Sequence, residues 1–198
     1  MTAPELSGDR KARATQSSRL IVLVGFMGAG KTTVGRLLAA RSGWRFLDVD
    51  AEIEAETGST IAELFTHHGE PWFRALERGM IARLARQSAA APGDAADART
   101  VLALGGGAIE DAETRELLLR GESLRMVHLE VTLAEAIRRC TADATNLRPV
   151  LADRERLAAR YKLRLGLYRL AHLSVEVDGL PPEQVAERIG NWLHENES

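Results

Sequence analysis

Short apolar runs and amphipathic stretches alternate along the chain. The runs are rich in β-branched residues, which is typical of buried parallel strands. They lie at 19–25, 44–50, 101–107, 124–131 and 173–177. Stretches with helical spacing separate or follow them, at 31–43, 51–58, 61–65, 71–86, from 133 onward, at about 153–171 and at 181–193. The order predicts an α/β fold in which a parallel sheet carries helices on both faces.

Capping residues mark several of the predicted helix ends. Gly43 stops the first helix, and Asp50 has the side chain of an N-cap for the second. The other signals are the Thr60 and Glu63 capping box, Pro71 in the first turn of its helix, and Thr132 with Glu135.

Three segments lack any period. Residues 1–18 are polar and are predicted to be a disordered leader, which leaves 19–198 as a single domain. Residues 87–100 are rich in alanine, aspartate and proline and are predicted to form a surface loop. Residues 140–156 are charged and aperiodic, so we expect a mobile loop there.

Composition removes several classes of function. The 198 residues are 45% apolar and 27% charged with a net charge of −2, so no global field gathers nucleic acid, and only a local basic cleft would bind it. The longest apolar run, 20–29, is too short to span a bilayer. A single cysteine, Cys140, excludes an intramolecular disulfide and suits the reducing cytoplasm.

The stretch from Gly25 to Thr32, "GFMGAGKT", matches G-x-x-x-x-G-K-[ST] at every fixed position. Glycines let successive backbone N–H groups turn inward around a polyphosphate, and the helix that follows adds its positive end. Lys31 supplies a charge at the outer phosphates and the Thr32 hydroxyl can ligate Mg²⁺. A merely flexible glycine turn is the alternative, but the full pattern between strand and helix favours a nucleoside triphosphate, with ATP expected.

Other polar residues follow the predicted strands. Asp48 and Asp50 share one face of a strand end, where period two puts alternate side chains together. From the residues alone, Asp50 is equally well a helix cap or a ligand in the crevice. Three glycines at 105–107 let a substrate lie directly on the backbone. Arg74 fits a solvated helix face or an anion site, and Glu77 has the spacing to hold it.

With these pieces in order, the chain resembles the shikimate kinases from about residue 20 to 192. The matching segments are "GFMGAGKTTVGR", "FLDVDAEIE", "TGSTIAELF", "GEPWFRALE", "LALGGGAI", "NLRPVL" and "LYRLA". The resemblance implies a three-layer α/β/α P-loop fold with a five-stranded parallel sheet of order 2-3-1-4-5. It also implies a substrate-binding region at about 50–84 and a mobile lid at about 141–153, although 139–148 is slightly longer than in typical members.

The family phosphorylates the 3-hydroxyl of shikimate with Mg²⁺ and ATP, in the pathway to aromatic amino acids. The nucleotide residues that the resemblance implies are Gly28, Ala29, Gly30, Lys31, Thr32, Thr33, Arg139 and Arg148. Arg148 would close over the phosphates, and Arg139 would stack on adenine, with Arg138 an equally good match. Magnesium would be held by Thr32 and, through water, by Asp48.

The resemblance also implies a shikimate site. Asp50 would bind the hydroxyls, including the attacking one, and the arginines at 74 and 164 would grip the carboxylate. Gly106, the middle member of Gly105, Gly106 and Gly107, would donate its N–H to the substrate. The catalytic set would be Lys31, Asp50 and Arg148. Spacing alone does not separate Arg164 from Arg160 on the same basic helix.

Two other functions fit parts of the pattern. A gluconate kinase would also bind a carboxylate on the same scaffold. A catalytically silent nucleotide-binding module would need the phosphate loop but not Asp50, Arg148 and both carboxylate-binding arginines. We expect a cytoplasmic monomer that acts on ATP and shikimate and uses neither nucleic acid nor membrane.

Overall fold

A parallel five-stranded sheet forms the centre of the computed structural model, which describes residues 18–90, 99–121, 123–142 and 153–196. The strand order is β2-β3-β1-β4-β5, which confirms the predicted order. The strands are β1 (Leu20–Val24), β2 (Arg45–Asp48), β3 (Thr100–Ala103), β4 (Leu124–Glu130) and β5 (Leu173–Glu176).

Helices cover the sheet. They are α1 (Lys31–Ser42), α2 (Val49–Thr57), α3 (Ile61–His68), α4 (Glu70–Ala90), α5 (Ala112–Arg120), α6 (Leu133–Ala142), α7 (Arg154–Tyr168) and α8 (Pro182–Asn196). A 3₁₀ turn, Ala108–Glu110, leads into α5. Over the sheet α1 packs on α8, and α4 packs on α5.

Strand β1 is central because all five of its residues are apolar and buried. Val22 lies level with Leu102 of β3 on one side and with Met126 of β4 on the other. A strand whose β-branched side chains are buried on both faces is typical of a parallel sheet between two helical layers. The phosphate-loop sequence therefore leaves the sheet at its middle, at the carboxyl end of β1.

The structure changes the prediction around the two aspartates. Asp50 was expected to cap the second helix, but Asp48 is the N-cap, and its side chain accepts from the N–H of Asp50 at 3.2 Å. The strand ends at Asp48, so Asp50 lies in the first turn of α2 rather than on a strand. The two aspartates therefore do not share a strand face as predicted, because the helix begins at Val49, two residues earlier than its apolar spacing indicated.

Other boundaries also moved. Residues 87–90 belong to α4 and Thr100 belongs to β3, so the predicted loop at 87–100 is shorter. Helix α7 ends at Tyr168, three residues before the expected 171. Helix α5 was not predicted; its N-cap is Asp111, which accepts from the N–H of Thr114. The capping box of Thr60 and Glu63 is confirmed.

Two predicted segments lie almost wholly outside the described residues. These are the leader, of which only Ser18 is described, and the lid, of which 143–152 are not. Within the described ranges, no helix is both long enough and apolar enough to cross a membrane.

Candidate active site

The phosphate loop connects β1 to α1. Gly28 lies in the left-handed region with φ 72°, and a Cβ on it would come within 3.1 Å of the carbonyl oxygen of Ala136 in α6. A side chain here would be strained and crowded, so the loop depends on glycine at this point. Lys31, the first residue of α1, donates from Nζ to the carbonyl oxygens of Gly25 at 2.8 Å and Phe26 at 3.2 Å.

The loop and the first turn of α1 also contain Ala29, Gly30, Thr32 and Thr33 of the predicted nucleotide set. Gly30 is the N-cap of α1 with φ 88°, and the buried Ala29 donates its N–H to the carbonyl of Phe26 at 3.3 Å. Thr32 and Thr33 follow in the first turn of α1. The helix end adds a positive potential to the N–H groups of the loop, which suits a polyphosphate.

Thr32 and Asp48 meet across the loop. The Thr32 hydroxyl donates to Oδ2 of Asp48 at 2.8 Å, which joins the start of α1 to the end of β2. Magnesium in phosphoryl-transfer sites takes one or two protein oxygens and completes its shell with water and substrate phosphates. A hydroxyl beside a carboxylate fits that donor set. No cluster of three or more metal-ligating side chains occurs in the part of the chain that the structure describes.

A cleft of about 310 Å³ opens beside the loop. Most of the predicted site residues line it, and its lining residues are Met27, Gly28, Gly30, Lys31, Thr32, Thr33, Asp48, Asp50, Leu104, Gly105, Gly106 and Arg164. The structure thus brings the phosphate loop, the two aspartates, the glycine turn and one arginine into one space. Ala29, Arg74, Gly107 and Arg139 are not among the residues that line it.

The glycine turn after β3 packs against charged side chains. A Cβ on Gly105 would lie 2.8 Å from Oε1 of Glu77 and 2.9 Å from Oδ1 of Asp50. A Cβ on Gly107 would lie 2.7 Å from Cζ of Arg74. A side chain at either position would have to displace a carboxylate or the guanidinium from its present place.

Arg74 is held by its own helix, α4. Its Nη1 donates to Oε2 of Glu77 at 2.6 Å and its Nη2 to Oε1 of Glu70 at 3.1 Å. The guanidinium also lies 5.5 Å from the ring centre of Phe73. The expectation that Glu77 holds Arg74 is confirmed, and Arg74 is fixed beside Gly107 rather than extended into solvent.

Two carboxyl groups in this region have raised pKa values. Burial, reinforced by the charge of Asp48, raises the pKa of Asp50, and Lys31 opposes the rise. Burial raises the pKa of Glu77 to about 7, although Arg74 lowers it. Glu77 is 2% exposed, and its Oε1 has no hydrogen-bond partner among the residues that the structure describes.

Arg164 is separated from Arg160 by burial, because Arg164 is 7% exposed on the face of α7 that packs inward. Tyr168 lies one turn further along and donates its hydroxyl to the carbonyl of Gly106 at 2.6 Å. The sequence reasoning missed Tyr168. Its spacing of four from Arg164 was the available signal, since both side chains then share one helix face.

The two candidates for stacking on adenine, Arg139 and Arg138, differ in their contacts. Arg139 donates to the carbonyl oxygens of Gly28 at 3.1 Å and Val177 at 3.0 Å, so it touches the phosphate loop. Arg138 pairs with Glu135 at 2.6 Å and its side chain is 69% exposed. Arg148, the predicted lid arginine, lies outside the described residues.

Comparison with known proteins gives close relatives over most of the chain. A shikimate kinase from Frankia casuarinae is 46% identical over 88% of this chain and 72% of its own length. One from Thermobifida fusca is 45% identical over 89% of this chain and 96% of its own. The structure of the Acinetobacter baumannii shikimate kinase in complex with shikimate superposes with a TM-score of 0.78, at 37% identity, over 92% of this chain and 97% of that one.

A parallel sheet of order 2-3-1-4-5 with a phosphate loop at its central strand, facing a small polar cleft, defines a P-loop kinase of small molecules. The family model described as shikimate kinase matches residues 27–194. The chain belongs to the shikimate kinase family and is an ATP-dependent kinase.

Proposed function

We propose that the cleft transfers the γ-phosphoryl group of ATP to the 3-hydroxyl of shikimate, giving shikimate 3-phosphate and ADP. One observation carries the proposal: the phosphate loop with Lys31 lines the same cleft as Asp50, Gly106 and Arg164. A phosphate donor and a polyol acid can therefore meet there. The family and the shikimate bound in the Acinetobacter baumannii enzyme support the choice of acceptor.

The phosphate loop would bind the ATP phosphates. Backbone N–H groups from Gly28 to Thr33 would face the phosphate oxygens, and Lys31 would carry its charge to the outer phosphates. Arg139 already contacts the carbonyl of Gly28, which supports its assignment to the adenine side. Arg148 is assigned to the phosphates on the family resemblance alone.

The metal site would consist of the Thr32 hydroxyl, with Asp48 behind it through water. Their contact at 2.8 Å supports this pairing of oxygens. Magnesium, when bound, neutralises the charge that develops on the β- and γ-phosphoryl oxygens. Asp48 has a second role in the protein itself, because it also caps α2 and so fixes the position of Asp50.

Asp50 would orient the substrate hydroxyl and accept its proton. The oxygen of that hydroxyl attacks the γ-phosphorus, the bond from phosphorus to the bridging oxygen breaks, and the electron pair remains on ADP. The hydroxyl proton passes to the Asp50 carboxylate. Burial and Asp48 raise the pKa of Asp50, which makes this carboxylate a better proton acceptor than an exposed one.

The carboxylate of shikimate would lie between Arg74 and Arg164. A planar guanidinium forms two parallel hydrogen bonds to one carboxylate, which a lysine does not. Both arginines lie close to the glycine turn, since a Cβ on Gly106 would be 3.4 Å from Nη1 of Arg164 and one on Gly107 would be 2.7 Å from Cζ of Arg74, which supports a shared carboxylate site. The substrate can rest on that turn because no side chain intervenes.

The acceptor is tested by an assay of ADP release with shikimate, gluconate and nucleoside monophosphates as alternative substrates. Among these acceptors, we expect turnover only with shikimate. We expect no turnover in a folded Lys31→Ala variant, because it lacks the positive charge at the transferring group. Faster turnover with gluconate than with shikimate would show that gluconate is the better acceptor and would contradict the proposal. Normal turnover in Lys31→Ala would remove the phosphate-loop assignment.

We further propose that the enzyme is a cytoplasmic monomer that needs only ATP, magnesium and shikimate. The single cysteine supports a reducing compartment, and the net charge of −2 supports the absence of a nucleic-acid partner. Light scattering coupled to size exclusion measures the mass directly. A dimer mass at micromolar concentration would contradict the monomer.

A further inference from the structure

Glu110 contacts one of the two arginines proposed to bind the substrate. It is the last residue of the 3₁₀ turn that directly follows the three glycines, and its N–H donates to the carbonyl of Gly107 at 3.0 Å. Its Oε1 forms an ion pair and a hydrogen bond with Nε of Arg164, on α7. The Arg164 side chain is 8% exposed and that of Glu110 is 34% exposed, so the pair lies at the edge of the protein interior.

The two arginines obtain their carboxylate partners differently. Arg74 pairs with Glu70 and Glu77, both on its own helix. On α7 the positions three and four residues from Arg164 are arginine, tyrosine, leucine and tyrosine, so that helix offers no acidic side chain in register. The carboxylate that meets Arg164 comes from a separate element, the turn that also carries Gly106 and Gly107.

The contact determines which edge of the guanidinium faces the cleft. Nε carries one hydrogen, which it donates in the hydrogen bond to Glu110. Any further hydrogen bonds from Arg164 must therefore be donated by Nη1 and Nη2. Nη1 lies 3.4 Å from the position that a Cβ of Gly106 would have, and the guanidinium carbon lies 6.0 Å from the ring centre of Phe26. Glu110 therefore holds Arg164 at Nε, while Nη1 lies beside the glycine turn that lines the cleft.

We propose that Glu110 is a positioning residue for substrate binding: it fixes Arg164 so that the Nη1 edge meets the substrate carboxylate. The inference rests on the proposed function of the cleft. Glu110 acts through Arg164 and does not itself touch the substrate. A site whose arginine becomes ordered only when the ligand binds has a lower affinity than a site whose arginine is already fixed, because ordering the side chain costs entropy.

Charge and orientation make opposite predictions, which makes the idea testable. The negative charge of Glu110 reduces the attraction of Arg164 for an anion, so a purely electrostatic role would give tighter shikimate binding on its removal. Loss of orientation gives weaker binding. Because Glu110 is partly exposed and screened by water, we expect orientation to dominate.

The test compares Glu110→Ala and Glu110→Gln with wild type, using steady-state kinetics for each substrate and the melting temperature. Glu113→Ala is the matched control, because Glu113 is an exposed glutamate on the neighbouring helix that pairs with Arg78. In Glu110→Ala we expect the KM for shikimate to rise roughly three- to tenfold, with kcat and the KM for ATP unchanged within twofold. Glu110→Gln keeps an acceptor for Nε and should recover most of the loss. Glu113→Ala should match wild type.

A second comparison shows whether Glu110 acts through Arg164. Lysine has no Nε edge, so adding Glu110→Ala to an Arg164→Lys background should change kcat/KM for shikimate by less than twofold. An undiminished effect there would overturn the proposal, as would an unchanged or lower shikimate KM in Glu110→Ala. A fall in melting temperature with equal loss for both substrates would make the contact structural only. Wild-type enzyme inactive on shikimate would instead refute the proposed function.

Discussion

Arg74 shows how a single residue is prepared for its role. The two glutamates on its helix and the ring of Phe73 fix the guanidinium before any substrate arrives. The Arg74 guanidinium is thus held in one orientation, so we expect its geometry to matter as much as its charge for a bound carboxylate.

Arg74→Lys should therefore weaken shikimate binding while ATP binding hardly changes. An ammonium makes no parallel pair of hydrogen bonds to one carboxylate, and losing one such charged contact costs about 1.5–3 kcal/mol, roughly ten- to a hundredfold in affinity. Calorimetry of both proteins with each ligand alone measures this. Equal shikimate affinity would return Arg74 to a structural role with Glu70 and Glu77.

Asp50→Asn should separate chemistry from binding. The amide keeps the shape and some hydrogen bonding but does not accept the hydroxyl proton, so we expect turnover to fall roughly a hundredfold or more. ATP affinity should persist, because Thr32 and Asp48 are unchanged. If ATP affinity collapsed in titrations with magnesium present, Asp50 would belong to the metal site and Asp48 would be the better candidate for the base.

Glu77 makes stability depend on pH in an unusual direction. Its pKa is raised from 4.5 to about 7, so between these values the folded protein binds more protons at Glu77 than the unfolded chain does. Its contribution to stability is full below pH 4.5 and is lost as the pH rises through 7.

We therefore expect the free energy of unfolding of wild type, relative to Glu77→Gln, to fall between pH 5 and pH 8. The expected change is on the order of 1–3 kcal/mol. Urea unfolding of both proteins at several pH values in this range measures it. Parallel pH profiles would mean that Glu77 is ionised throughout and that Arg74 outweighs burial.

At the scale of elements, the start of α6 is tied to the turn after β5. Thr132 caps α6 by accepting from the N–H of Glu135 at 3.3 Å, as predicted. In the expected capping box, Glu135 would accept from the N–H of Thr132. Asp178 does so instead, at 3.2 Å, and also accepts from the Thr132 hydroxyl. Glu135 is instead engaged by Arg138 and Arg139.

Asp178→Ala should destabilise the protein by about 1 kcal/mol, because it removes the acceptor for the first N–H of that helix end. Glu176→Ala, an exposed change in β5, is the control and should have little effect. Denaturant unfolding of both variants measures the difference. Equal stability of the two would show that water replaces the Asp178 carboxylate without loss.

At the scale of the whole molecule, the N-terminal segment can be divided sharply. Residues 1–17 are polar and without period, so we expect their removal to leave turnover and melting temperature nearly unchanged. Removal of 1–19 should lower the melting temperature, because Ser18 is buried and Arg19 bonds through its backbone to Ser123 and Thr100. Thermal unfolding of the two truncated proteins tests this. A large fall in melting temperature on removal of 1–17 would mean that the leader packs on the domain.

Local patterns were enough for the class of the fold and for the phosphate loop. Strand β1 reads as buried because every residue in it is apolar, and the loop after it follows a fixed motif. The resemblance to the shikimate kinases supplied the strand order and the family, and both are confirmed. The helix start at Val49 was missed because the cap of Asp48 is a matter of backbone geometry, which apolar spacing does not report.

The sequence by itself determined the alternating elements, the phosphate loop and the residue types that chemistry on a phosphate and an acid needs. Only the tertiary structure separated Arg164 from Arg160 and Arg139 from Arg138, because burial depends on which helix face meets a partner distant in the chain. It also placed Glu110 against Arg164 and Tyr168 against Gly106, across 54 and 62 residues. Contacts of that range follow from how parallel strands bring their carboxyl ends to one edge, which no local pattern of residues encodes.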